Sequence, residues 1–194
     1  MRNFILILLS SIFVLNLNAQ NDKSCLKLKT LIKQKDIYLN CGVKSTQQGL
    51  KKSLIKIKLP ENTKTWYYSF STSTESNQGK KLNLKKQLSS LLADSSGLTK
   101  ADNTKIIVPA GADSIDIFIL DKQNSELFLK SSGNDEGKYY FFRDGTVFNK
   151  SEAFMDIERF AKGTFYMGLK NASSWNGVYI HIEVVILYEK KAKK

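Results

Sequence analysis

From Ser53 onward, apolar residues recur at every second position. Ile55, Ile57 and Leu59 alternate with Lys56 and Lys58 until Pro60 ends the run. Trp66, Tyr68 and Phe70 alternate with Tyr67, Ser69 and Ser71, which puts the large rings on one face. Ile115, Ile117 and Ile119 share a face within Ser114–Leu120, and Phe165, Met167 and Leu169 share one within Thr164–Lys170. Val178, Ile180, Ile182, Val184 and Ile186 do the same in a run ending at Tyr188. A period of two is the signature of a strand with one buried face.

One segment has a helical period instead. Leu84, Leu88, Leu91 and Leu92 form a single apolar stripe opposite Lys85, Lys86 and Gln87. Asn83 is placed to cap its start and Ser95-Ser96-Gly97 to close it. Further strands are predicted at Lys105–Val108, stopped by Pro109, and at Tyr139–Phe142, followed by a hairpin turn at Asp144-Gly145. Asn124–Lys130 fits a helical turn or an edge strand, and Asn21–Asn40 a short helix or an irregular strand. Ser151–Arg159 is ambiguous. About eight strands with one short intercalated helix predict an all-β fold, an antiparallel β-sandwich of jelly-roll-like form. A parallel sheet would need a helix between most strands.

The chain opens on a different pattern. Arg2 precedes an apolar run, Phe4–Leu15, and Ala19 offers a small side chain before Gln20. This is the form of a secretory signal peptide over residues 1–19; its apolar core of about twelve residues is short against the roughly twenty that span a membrane. The expected organisation is then an N-terminal segment over 20–52, one sandwich domain over 53–188 and a lysine-rich tail over 189–194. The expected destination is outside the cytoplasm: periplasm, cell surface or medium.

Export changes how the cysteines are read. Cys25 and Cys41 are the only two, too far apart for a redox motif and without an evident histidine partner for thiol chemistry. In an oxidising compartment the expectation is a disulfide closing a loop of about sixteen residues, worth roughly 3 kcal/mol.

The formal charge of +12 suggests an anionic partner, but of thirty basic residues only Arg2, Arg143 and Arg159 are arginine. Nucleic-acid recognition favours the bidentate guanidinium fork, and these lysines are dispersed, so nucleic acid is not expected as a partner. Weak attraction to anionic glycans or lipid head groups remains compatible with them.

His181 is the sole histidine, which excludes multi-histidine zinc sites and H-E-x-x-H metalloproteases. A Ser-His-Asp triad would have to use it, on a strand face shared with Tyr179 and Glu183. The plainer alternative is a cross-strand surface pair. Asp113, Asp116, Asp156 and Glu183 could supply a glycosidase pair, though nothing in their spacing brings two together. Asn134-Asp135-Glu136 lacks the ligand ladder of a calcium loop. No phosphate loop, dinucleotide fingerprint or G-x-S-x-G elbow is present. No catalytic residue, metal or cofactor is assigned. Trp175 lies in a polar loop between Ser174 and Asn176, where a large ring either stacks on a ligand or folds back over the sandwich end. With Tyr179 and His181 it makes up the candidate binding set.

The C-terminal run Gly163-Thr164-Phe165-Tyr166-Met167-Gly168-Leu169, a loop with Trp175 and Gly177, and Val178-Tyr179-Ile180-His181-Ile182-Glu183-Val184 resembles the ending of bacterial pre-peptidase C-terminal domains and GOLD-type domains. Ile107–Gly111 and Asp116–Asp121 are similar to their middle strands, so the resemblance covers roughly residues 100–188. It implies an accessory β-sandwich that binds surfaces, glycans or proteins, although these 194 residues include no protease domain. The expected function is an exported, non-catalytic binding module for a macromolecule or cell-surface component. The alternatives are an assembly subunit of an envelope or secretion complex, and a hydrolase with an unidentified acidic site.

Overall fold

The computed structural model describes residues 25–42, 50–76, 81–94, 105–131 and 138–190. The predicted signal segment, the helix-closing Ser95–Gly97, the acidic turn at 134–136 and the last four lysine-rich positions lie outside the described residues.

Eight strands form two four-stranded antiparallel sheets. They are β1 (Cys25–Leu39), β2 (Lys52–Leu59), β3 (Thr63–Ser73), β4 (Ile115–Leu120), β5 (Phe142–Lys150), β6 (Glu152–Ile157), β7 (Gly163–Asn171) and β8 (Val178–Lys190). Pairing is nested: β1 with β8, β2 with β7, β3 with β6 and β4 with β5. Adding the β3–β8 and β4–β7 ladders wraps this long antiparallel ribbon into the sheets β1-β8-β3-β6 and β2-β7-β4-β5. That is the order of a jelly roll, as the sequence pattern predicts.

The alternating residues meet between the sheets. Trp66, Tyr68 and Phe70 of β3 pack with Ile180, Ile182, Val184 and Ile186 of β8 and with Ile55, Ile57, Ile117, Ile119 and Met167 from the facing sheet. Polar atoms in this core reach partners: Trp66 Nε1 donates to Phe160 O at 2.9 Å, and the Tyr68 hydroxyl donates to Gly145 O at 2.5 Å. Burial pushes the Tyr68 phenol well above the usual tyrosine range, so it stays a donor.

Each sheet carries one helix on its outer face. α1 (Leu84–Asp94) lays Leu84 and Leu88 on Tyr67, Val185 and Leu187. Asn83 sits at its start with φ 52, but the cap comes from β8: the Glu183 carboxylate accepts from Leu84 N at 2.8 Å and Lys85 N at 3.4 Å. α2 (Lys122–Lys130) starts at Asp121, whose carboxylate accepts from Asn124 N at 2.7 Å. It buries Phe128 among Phe118, Leu120 and Tyr139, and Lys52 of β2 donates to Phe128 O and Ser131 O at its C-terminus.

Several expectations are corrected here. Residues 105–108 are not a strand; Ile106 packs against α1, and the Gln87 amide bonds both Ile107 N and Ile107 O, standing in for a ladder neighbour. Asp144-Gly145 is not a hairpin turn. Gly145, at φ 81, lies inside β5 where the register against β4 slips, because a left-handed glycine serves a bulge as readily as a turn. The segment before Asn40 is one long strand with two register shifts against β8.

That strand also overturns the disulfide. Cys25 opens β1 and Cys41 follows its far end, and both are free thiols, one exposed and one buried. The ladder to β8 holds the two ends of β1, Cys25 and Leu39, about 40 Å apart, and Cys41 lies beyond that end, against the roughly 7 Å that a bridge allows. Two cysteines sixteen positions apart close a loop only if the chain between them turns back. Here it is ladder-paired to β8 instead.

Candidate functional site

The outer face of the β1-β8-β3-β6 sheet carries side chains in cross-strand rows. Tyr38 of β1 lies opposite Tyr179 of β8, and Asp36 opposite His181, with Ser71 and Ser73 of β3 on the other side. The next outward residue along β8 is Glu183, where α1 begins to cover the sheet.

A serine from one row meets the only histidine and an aspartate of the next. His181 Nδ1 is 2.7 Å from Asp36 Oδ1, and Nε2 is 2.8 Å from Ser73 Oγ. The connectivity is that of a catalytic triad. Its access is not. His181 is 1% exposed and Ser73 is buried, so an incoming carbonyl carbon cannot reach Oγ. The hydroxyl carries a single proton, and Glu75 O, 2.7 Å away, competes with Nε2 for it. The arrangement instead ties β1, β8 and β3 together across the sheet. Ser73 is accordingly expected to stay unlabelled by a fluorophosphonate probe that labels a reference serine hydrolase. Labelling lost in Ser73→Ala would show a working nucleophile and contradict this.

At the open end of the same face lie the aromatics. Tyr38 and Tyr179 have ring centroids 4.7 Å apart, and Tyr38 is 49% exposed. The Tyr38 hydroxyl occupies the space beside Gly177 where a β-carbon would stand, so the loop between β7 and β8 closes directly over it. Trp175, two residues earlier in that loop, is 77% exposed. The ring therefore does not fold back over the sandwich end.

Its backbone is nonetheless held from several sides. Asn171, fully buried, donates to Asn40 O at 3.1 Å and to Asn176 O at 2.7 Å while accepting from Ser173 N. Ser173 Oγ accepts from Trp175 N and Asn176 N, and Gly42 N donates to Ser173 O. A bare ring on a fixed loop is what stacking on a ligand requires.

Between β1 and α1 runs an open groove of about 770 Å³, lined by Lys33, Lys81, Lys85 and Lys86 together with Asp36 and Glu183. Of the sequence-nominated binding residues, Tyr179 lies on the outer face against Tyr38, and Trp175 lies in the β7–β8 loop, two residues before the Gly177 that meets the Tyr38 hydroxyl. His181 is beneath that face and presents nothing to a ligand. Tyr38 and Lys33 carry no signal in the sequence because the segment before Asn40 shows no clean period. The bulges in β1 are what break that period.

Among the described residues no three His, Cys, Asp or Glu side chains gather as a metal site would require, and no helix is long and apolar enough to cross a membrane. No protein-family model matches the chain, and no curated protein matches it at a significant level.

Proposed function

We propose that this chain is an exported, non-catalytic β-sandwich that binds a glycan of the cell surface or its surroundings through Trp175, Tyr38 and Tyr179. The observation that carries the proposal is the tryptophan: 77% exposed, on a loop whose backbone is hydrogen-bonded from Asn171 and Ser173. Burying a ring of that size gains more than almost any other side chain, and leaving it in water forgoes that gain. A sugar ring presents a flat face of C–H bonds to such a ring, and the Tyr38–Tyr179 pair, met by Gly177 two residues after Trp175, offers a second aromatic contact. The resemblance to accessory sandwich domains, the N-terminal export pattern and the inaccessibility of Ser73 all support the same reading.

The test is retention of the purified protein on a polysaccharide and peptidoglycan array. Wild type is expected to be retained, and Trp175→Ala to bind at least about tenfold more weakly with its thermal midpoint unchanged, because an exposed ring contributes little to folding. No retention on any glycan removes the proposal.

A second reading, an assembly subunit docking another envelope protein, is favoured by a different patch. Phe141 and Phe148, both exposed, pack on Phe118 on the outer face of the other sheet, and Tyr140, next to Phe141 in sequence, is exposed too. A stable envelope complex that survives Trp175→Ala would support it.

A further inference from the structure

We infer that the ligand of this face is an acidic polysaccharide, one whose rings stack at Trp175 and Tyr38 and whose carboxylate or sulfate groups enter the lysine groove between β1 and α1. The inference rests on the binding role proposed above and adds the chemical class.

Among the described residues, four lysines line the groove against two carboxylates, and both carboxylates are already engaged by the protein. Glu183 accepts from the first backbone N–H groups of α1, at 2.8 and 3.4 Å. One oxygen of Asp36 faces His181 Nδ1 at 2.7 Å. Lys33, Lys81, Lys85 and Lys86 are exposed, and among the described residues no ion pair engages them. The Glu183 charge is thus drawn inward to backbone donors, Asp36 keeps about half of its side chain in solvent with one oxygen turned to His181, and the four ammonium groups face solvent.

The geometry makes the two features one surface. Asp36, at the near end of the groove, is two residues from Tyr38 on β1, about 7 Å along the strand. Glu183 is four residues from Tyr179 on β8, about 13 Å. A short run of linked sugars covers that span, with one end over the aromatic rings and the rest along the ammonium groups.

The type of cation narrows the partner. Lysine ammonium groups are mobile point charges that suit acidic groups spaced along a flexible polymer. Bidentate grip on a phosphate or a base edge calls for arginine, and none is among the described residues that line the groove.

Affinity electrophoresis and calorimetry on the purified protein give the test, with polygalacturonate, alginate and heparin as acidic probes. Methyl-esterified polygalacturonate and dextran serve as neutral ones. The expected result is at least about tenfold tighter binding to polygalacturonate than to its ester at low salt, declining as salt screens the contact. Lys33→Glu/Lys85→Glu/Lys86→Glu should abolish that preference while leaving weak neutral-glycan binding. Trp175→Ala should lose both. If the glutamates disturb α1, the corresponding Lys→Gln changes remove the charge without introducing its opposite.

Equal affinity for the acid and its ester, or a preference untouched by the lysine changes, overturns the inference and leaves the glycan-binding role standing. Absence of binding to every glycan overturns both. Binding to single-stranded DNA or phosphatidylglycerol vesicles as tightly as to polygalacturonate, with Trp175→Ala making no difference, shows undirected polycation behaviour and also overturns it.

Discussion

Trp66→Ala is expected to lower the unfolding free energy by about 3–5 kcal/mol, the range for emptying a fully buried tryptophan site. The ring is 0% exposed, sits 6.2 Å from Tyr68 by centroid, and belongs to the cluster that joins both sheets. Its backbone neighbours are Ile157 of β6 and Ile186 of β8, so collapse of the cavity would have to move two strands. Phe160 O would also lose the indole donor. Since a domain of this size is typically stable by only about 5–15 kcal/mol, the variant should unfold near the limit of usable stability. Urea denaturation followed by fluorescence or circular dichroism measures the shift in midpoint at constant slope. A loss under about 1 kcal/mol would mean that Trp66 is not in the centre of the core.

Gly111→Ala is expected to cost about 3 kcal/mol, at the upper end of what overpacking does. A β-carbon there would lie 2.1 Å from Ser151 O and 2.6 Å from Ser151 C, both backbone atoms that cannot rotate away. The same point gathers three segments. Thr72 Oγ1 donates to Asp113 O at 2.6 Å, Thr72 N donates to Ser151 O at 3.0 Å, and Gly111 N donates to Glu152 Oε2 at 2.9 Å.

The Ser151 hydroxyl and the Gly111 N–H hold the Glu152 carboxyl below its usual range. A carboxyl lowered on folding stabilises fully above its unfolded pKa, and that contribution is lost as pH falls through the folded value. The junction should therefore loosen below about pH 4.5 in wild type. In Gly111→Ala that acid-dependent component should be smaller, because the N–H contact is displaced. A thermal midpoint within about 2 °C of wild type would contradict the crowding argument.

The sandwich was legible because each core strand declares its buried face by alternation, and the run Trp66–Tyr68–Phe70 does so without interruption. β1 was not, since its register shifts break the period and its edge position leaves lysines on much of its length. The same failure produced the disulfide expectation: without a strand between Cys25 and Cys41, their separation in sequence looked like a loop. Gly145 misled for another reason, since a left-handed glycine after an aspartate fits a hairpin turn and a bulge equally well.

The site divides along the same line. Trp175 could be found because a large ring in a polar loop is conspicuous. Whether it pointed outward depended on Asn171, Ser173 and Tyr38, which come together only in three dimensions. Ser73, His181 and Asp36 meet through three strands far apart in sequence, so their spacing carries no signal. The burial of Ser73 and His181, which decides against chemistry, is visible only in the fold.

The most direct test of the central claim is a titration of isotope-labelled protein with an oligosaccharide taken from whichever polysaccharide retains it, followed by two-dimensional NMR. The account predicts that the Trp175 indole N–H shifts most, that backbone amides of Tyr38, Gly177 and Tyr179 follow, and that β4, β5 and α2 on the opposite outer face stay unmoved. Shifts centred on Tyr140, Phe141 and Phe148, with Trp175 silent, would place the binding surface on the wrong sheet for this account and contradict it.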